Sequence, residues 1–366
     1  MKLITPDVGP LQTSRLASLA VLTVASLCLL GALAGCATHK ASTSPTAWVK
    51  SWRVANPVWR GIHLMVRSDE DVSQLKSALP NLKAIGINAV VLEIDYNFEF
   101  RSHPELRSTP CVTLAGAREV TQAAHALGIR VIPQFNCLGH QSWSRTTFPL
   151  LTKYPEFDET PGAYPENKDI YCRSWCPQNP DVNRVVFALI DEIIDAFDAD
   201  AIHVGMDEVF LIGSPYCHRC HGQQPAELFA KCVNDLHRHI VTGRQRELLM
   251  WGDRLLDSKQ LGFSEWEASR NNTQGAAALI PKDVIMCDWH YEKQPEYRSI
   301  PFLLKEGFRV WPSGWQPLEA AQAFSAYARQ QNDPRLLGYL CTTWGKVKIP
   351  QAAEWPPAKD VLTEWK

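Results

Sequence analysis

Ala201-Ile202-His203-Val204-Gly205-Met206-Asp207-Glu208-Val209-Phe210 reads as a short apolar strand that stops at two adjacent carboxylates. A buried strand ending in Asp-Glu suits the C-terminal end of a barrel strand, where such folds carry their chemistry. By itself the pair also fits a solvated turn, so the surrounding pattern has to decide. Before this strand come Arg60–Val66, Ile87–Ile94 closed by Asp95, and Ile129–Phe135 followed by Asn136, Gly139 and His140. After it come Glu247–Trp251 ending in Gly252-Asp253-Arg254, and Asp283–Cys287 ending in Asp288-Trp289-His290-Tyr291. Phe308–Trp311, ending in Pro312-Ser313-Gly314-Trp315, and Leu336–Cys341, ending in Thr342-Thr343-Trp344, complete the series.

Helical segments separate most of these strands. Ser68 opens one whose apolar face is Val72, Leu75, Ala78 and Leu79; Ala115–Leu127 is a second, capped by Gly128; Asp181–Phe197 is a third. The proline-rich stretch from Ser142 to Pro180 reads as an extended loop. Eight strands alternating with helices predict an α/β fold, a TIM (β/α)8 barrel over residues 60–366. An open doubly wound sheet is the rival, but no Gly-rich phosphate turn follows its would-be first strand at Arg60–Asp69. A barrel brings every strand end to one mouth, which an open sheet does not.

The chain of 366 residues is 45% hydrophobic, carries a net charge of −2 and holds thirteen tryptophans. That balance gives no electrostatic footprint for nucleic acid. Tryptophans near strand ends suit a flat ligand such as a sugar ring, although core packing is the default for any one of them. Lys2 and Arg15, an apolar run over Leu16–Leu33 and then Leu33-Ala34-Gly35-Cys36 read as an export signal. The box ending in Cys36 resembles a bacterial lipobox. It implies cleavage after residue 35, lipid on Cys36, a tether over residues 37–59, and an exported lipoprotein held at a membrane in the periplasm or on the cell surface. A transmembrane span fits less well.

Two of the eleven cysteines, Cys28 and Cys36, fall in that leader, which leaves nine. Cys172-x-x-x-Cys176 and Cys217-x-x-Cys220 could form a structural zinc site with four thiolate ligands or two disulfides. Export favours disulfides.

The strand ends resemble glycoside hydrolase family 20, the β-N-acetylhexosaminidases, as a divergent member with the catalytic barrel only. His203-Val204-Gly205-Met206-Asp207-Glu208 is similar to the family's His-x-Gly-Gly-Asp-Glu, with Met206 at the second Gly. Ile132–His140 resembles the third-strand motif ending Pro-Gly-His, and Asp95 with Phe100-Arg101 and Pro104-Glu105-Leu106 resembles the second-strand loop. The small α+β domain that often precedes this barrel is not expected here.

This resemblance implies substrate-assisted retention, an exception to the two-carboxylate scheme of most glycosidases. Glu208 is the expected acid/base, Asp207 the residue that orients the acetamido group, and His140 with Asp95 a relay to Glu208. Expected substrate contacts are His203, Trp251, Asp253, Trp289, Tyr291, Trp311, Trp315, Trp344 and Arg67, with Tyr291 facing the acetamido oxygen. The mechanism needs no cofactor and no catalytic metal. Gln134 replaces the usual Glu, Asn136 the usual Asp and Lys346 a sugar-binding Glu, and Arg67 stands one place from the usual first-strand Arg. Each change makes the mouth less negative.

The expected partner is thus a glycan bearing terminal N-acetylhexosamine, cleaved from its end. Two other readings stay open: a glycosidase of altered specificity, for example for sulfated hexosaminides, or a catalytically silent sugar-binding lipoprotein.

Overall fold

In the computed structural model, which describes residues 47–365, eight parallel strands close on themselves in chain order. They are β1 (Trp59–Met65), β2 (Ala89–Glu93), β3 (Arg130–Cys137) and β4 (Ala201–Gly205). Then follow β5 (Glu247–Trp251), β6 (Ile285–Trp289), β7 (Arg309–Gly314) and β8 (Gly338–Cys341), which pairs with β1. Every residue of β2, β4, β6 and β8 is buried. Strands covered by helices outside and packed side chains inside must be apolar on both faces, so they read as continuous apolar runs.

The expected TIM barrel is therefore the observed fold. The expected leader over residues 1–36 and the lipid site Cys36 lie outside the described residues. Among the described residues no helix is long and apolar enough to cross a membrane.

The outer helices form where caps and apolar stripes coincide. Helix α1 spans Ala47–Ala55 and α2 spans Asp69–Ala84, where Ser68 Oγ accepts the Asp71 N–H at 3.1 Å. Helix α3 (Leu114–Ala126) is capped by Thr113 and α4 (Pro180–Ala196) by Asn179, with Pro180 in the first turn where its missing N–H costs nothing. Val182, Val185, Val186, Leu189, Ile190, Ile193 and Ile194 form the buried stripe of α4.

The lower end of the barrel corrects two expectations. Residues 47–55 are helix α1, docked on the barrel, and β1 already begins at Trp59, so the latter part of the expected tether over 37–59 belongs to the fold. Trp48 stacks on His125 at 3.8 Å, and Trp52 is buried with its indole N–H donated to the Gly128 carbonyl at 3.1 Å. Trp59 meets Trp52 at 5.7 Å and Trp311 at 5.3 Å.

Trp311 is fully buried and donates its N–H to the Trp59 carbonyl at 3.3 Å, so it fills the barrel floor and cannot meet a substrate. Its benzo ring occupies the space that a Cβ on Gly61 would need, 2.3 Å away, which is why β1 carries glycine there.

Among these rings sits Arg130, the first residue of β3, wholly buried. Its guanidinium lies over Trp59 at 4.7 Å and Trp52 at 5.3 Å, forks onto Asp200 and reaches Glu247 at 2.7 Å. Arg53 of α1 also reaches Asp200 (3.1 Å) and Glu247 (2.9 Å), while Arg309 meets Glu247 at 2.6 Å. Burial alone would raise the Glu247 carboxyl, but Arg130, Arg309 and Arg53 hold it down at about 2.

Candidate active site

Above the floor, the strand ends carry an unusual density of left-handed backbone. Asp95 (φ 49°), His140 (52°), Met206 (75°), Glu208 (48°) and Trp344 (46°) all have positive φ. Such conformations cost of order 1–3 kcal/mol for residues with a Cβ and persist where the surroundings over-determine them. The turn after β4 begins with Gly205 (φ 66°), where a Cβ would lie 2.3 Å from Asn136 Oδ1. Met206 holds a conformation in which glycine is free of Cβ strain, which explains why glycine suits that place in the motif. The β3–β4 register shifts between Gln134 and Cys137, a bulge that re-aims the chain toward Gly139 and His140.

These turns bring three groups together. His140 Nε2 lies 3.2 Å from Asp207 Oδ2 and 3.2 Å from Glu208 Oε2. Burial opposes a charge on the His140 ring, but the charge of Asp207 beside it outweighs burial and raises its pKa well above the usual value. In return, burial pushes the Asp207 carboxyl up, yet the charge of His140 wins and holds it below the ordinary range. Asp207 is thus a carboxylate against an imidazolium.

Glu208 is fixed on other sides. Its backbone N–H donates to Asp253 Oδ2 at 3.0 Å, and its carboxyl group lies beside Tyr171, whose phenol is pushed up by burial and by the Glu208 charge.

Asp95 approaches this group from β2 without a direct bond to His140. Its carboxylate accepts the Asn136 backbone N–H (2.8 Å) and side-chain Nδ2 (3.1 Å). Burial and the nearby Glu93 push Asp95 up to about 7, and the charge of His140 pulls in the opposite direction. Its folded pKa lies above the unfolded value of ~3.9. Its proton therefore stabilises the fold fully below about pH 4, and that stability is lost as pH rises toward about 7. Asp95→Asn removes this slope: chemical denaturation at a series of pH values should show the variant gaining on wild type between pH 4 and 7. A pH-independent difference would contradict the shifted Asp95.

The expected substrate residues divide by depth. His203 is fully buried, accepts the Gly205 N–H at 3.1 Å through Nδ1 and is held neutral by burial and His63, at about 3. Trp251, also fully covered, packs on His203 (4.4 Å) and Trp344 (5.6 Å). Asp253 accepts the Glu208 N–H and Arg254 Nε–H, the latter at 2.6 Å, both through Oδ2. All three lie buried beneath the mouth, and His203 Nε2, Trp251 Nε1 and Asp253 Oδ1 have no hydrogen-bond partner among the described residues.

Nearer the mouth, Trp289 stands 4.9 Å from Tyr291, Tyr291 is 5.4 Å from Trp315, and Trp344 donates its N–H to the Tyr291 oxygen at 2.7 Å. Exposed Arg67 reaches Met65 Sδ at 3.9 Å and makes no ion pair among the described residues.

Several residues here carry no clear signal in the sequence. His63 of β1 and Glu93 of β2 form a buried pair at 3.0 Å, with Gln134 Nε2 donating to Glu93 at 3.2 Å. Their only signal is a polar residue interrupting an apolar strand. Tyr171 comes from the long loop, which is held down by Gln141 N–H to Arg173 O and Trp175 N–H to Leu138 O, both 2.9 Å. The Arg173 guanidinium organises that loop by binding Asp158, Asn167 and the carbonyls of Ala163 and Tyr164. Tyr171 packs edge-on against Trp143 (5.5 Å), Trp266 (4.9 Å) and Phe210 (5.8 Å). Trp143 and Trp266 are largely exposed.

The expected cysteine pairs are re-sorted. Cys172 directs its thiol to the Glu208 carbonyl at 3.6 Å, away from the other three. Cys176, Cys217 and Cys220 cluster with Glu159 instead.

Comparison with known proteins adds a family to this geometry. Residues 76–349 match the model of glycosyl hydrolase family 20, catalytic domain. The chain is 24% identical to human hexosaminidase D over 278 residues, covering 72% of this chain and 51% of that protein. It is also 24% identical to a Vibrio furnissii β-hexosaminidase, covering 80% of this chain and 48% of the relative. Identity to a Bifidobacterium bifidum lacto-N-biosidase is 24% over 202 residues, 51% of this chain but only 17% of that one. The chain thus spans about half or less of these relatives.

Among solved structures, Flavobacterium johnsoniae chitobiase superposes with a TM-score of 0.61 at 20% identity, over 84% of this chain and 48% of that one. Dispersin B does so at 0.51 and 17%, over 84% and 98%. These likenesses speak for the fold. With a catalytic-domain match that spans most of the barrel, the chain belongs to glycosyl hydrolase family 20.

Proposed function

We propose that this protein is an exo-acting β-N-acetylhexosaminidase that works with retention through the substrate's own acetamido group. One observation carries the reading: a single imidazole nitrogen lies 3.2 Å from both Asp207 and Glu208. The three ligating atoms lie within 4.8 Å of one another. That is too close for an inverting pair, whose carboxyl groups stand ~6.5–9.5 Å apart to hold a water between them. An Asp207 neutralised by imidazolium is a hydrogen-bond acceptor fixed in place, suited to an acetamido N–H.

In the first step the acetamido oxygen attacks C1, the bond from C1 to the leaving oxygen breaks, and Glu208 gives that oxygen its proton. In the second, water attacks C1, the bond from C1 to the acetamido oxygen breaks to restore the acetamide, and Glu208 takes the proton from water. Tyr291 accepts the Trp344 N–H, which leaves its own O–H to donate to the acetamido oxygen. The test compares nitrophenyl 2-acetamido-2-deoxy-β-glucoside with the plain β-glucoside. Loss of the intramolecular nucleophile should cost at least ~10³ in kcat/KM, given the effective molarity of such groups. Equal rates would refute the mechanism.

The aromatic group beside Glu208 is placed to take the leaving portion, because Tyr171 reaches the acid/base residue while touching Trp143 and Trp266. Stacking of this kind is worth ~0.5–1.5 kcal/mol. Trp143→Ala and Trp266→Ala should therefore raise KM for an oligosaccharide by about two- to ten-fold, with a smaller effect on an aryl glycoside; equal effects on both would speak against it.

A second reading concerns specificity. Arg67 reaches Met65 Sδ at the end of β1, and Gly345 faces the same sulfur, with exposed Lys346 the next residue in the chain. The Arg67 and Lys346 cations suit an anionic substituent on the sugar. A strong preference for neutral over 6-sulfated aryl N-acetylglucosaminides would end this reading. We further propose lipid anchoring through Cys36; fractionation of Cys36→Ala should move the protein from membrane to soluble fraction, and an unchanged distribution would refute it.

A further inference from the structure

We propose that Glu159, Cys176, Cys217 and Cys220 form a structural zinc site that staples the long loop after β3 to the loop after β4. The Cys176 sulfur lies 3.4 Å from both the Cys217 and the Cys220 sulfur. All four ligating atoms fall within 4.8 Å of one another, and all four residues are buried. A disulfide would need ~2.05 Å between two sulfurs, whereas thiolates around a tetrahedral ion at ~2.3 Å stand about 3.8 Å apart. Three sulfurs can make one disulfide only, which would strand a thiol beside a buried carboxylate. One tetrahedral ion uses the whole set.

The surroundings match that role. Glu159 is fully buried; Oε1 accepts the Ser214 N–H at 2.9 Å, Oε2 has no hydrogen-bond partner among the described residues, and the carboxyl group adjoins Cys217 and Cys220. Backbone N–H groups of Gln178 and Asn179 point at the Cys176 sulfur, and those of Arg219 and Cys220 at the Cys217 sulfur. Such donors stabilise thiolates and orient metal ligands. Cys217-x-x-Cys220 supplies the two-residue spacing usual in zinc knuckles, and the third and fourth ligands come from the facing loop.

The staple's consequence reaches the candidate active site. Cys176 follows Tyr171 and Cys172 by a few residues, and Cys172 touches the Glu208 carbonyl. The ion would thus set the distance between the loop carrying Tyr171 and the turn carrying Glu208. It would be a positioning device, with no part in the bond-making steps.

Elemental analysis of the full chain, purified without chelator, should find one zinc per chain. Cys217→Ser/Cys220→Ser should carry none, while Cys172→Ser should keep its full equivalent. Should the double variant fail to fold, the wild type decides alone. Removing its zinc with a chelator should lower its melting temperature, and refilling with cobalt should give thiolate-to-cobalt charge-transfer absorption. Metal-free protein with a disulfide among Cys176, Cys217 and Cys220 in a non-reducing peptide map would overturn the proposal, as would zinc retained in full by a folded double variant.

Discussion

Glu208→Gln should lower kcat/KM on a natural oligosaccharide by ~10²–10⁴, the usual worth of a positioned general acid. The substitution is nearly isosteric. It leaves the backbone N–H on Asp253 and keeps a side chain beside Tyr171. What it removes is the proton. A nitrophenyl leaving group needs little protonation, so the loss on the nitrophenyl glycoside should be much smaller in the first step than on the sugar leaving group. That split separates an acid from a merely structural residue, which would slow both alike. Steady-state kinetics on the two substrates measures it; unchanged activity on the oligosaccharide would remove Glu208 from the mechanism.

Arg130→Ala should cost about 3–5 kcal/mol of folding stability, read from urea denaturation, while the chemistry at the other end of the barrel stays intact in the folded fraction. The physical reason is asymmetry: removing one partner of a buried ion cluster leaves the rest uncompensated. Asp200 and Glu247 would keep Arg53, and Glu247 also Arg309, but Arg130 alone lies wholly inside and alone stacks on Trp52 and Trp59. Packing and charge are lost together. A loss below about 1 kcal/mol would mean that Arg53 and Arg309 suffice.

Much of the fold was legible because barrel strands are buried on both faces. Glu247–Trp251 matches its expected bounds, and Arg130–Cys137 runs two residues past the expected end because a bulge continues the pairing. Asp207, Glu208 and His140 were legible by position, since strand ends in a closed barrel converge. Depth was not legible. Trp311 and Trp315 are four residues apart, yet one fills the floor and the other stands near the mouth with Tyr291. Which layer a side chain joins depends on strand stagger, and stagger is set by pairing with neighbours far away in sequence.

The sequence by itself determined the alternation of strand and helix, the order of the barrel and the pair of acids, because these follow from local apolar runs, caps and turn chemistry. Only the tertiary structure decided who serves that pair. It put His140 equally near both acids, tied Asp95 to Asn136, brought Tyr171 to Glu208 and exchanged Cys172 for Glu159 in the cysteine cluster. Each of those meetings joins loops whose paths are fixed by long-range hydrogen bonds such as Gln141 to Arg173 and Trp175 to Leu138. No local pattern encodes them, since the partner that fixes each loop lies tens of residues away.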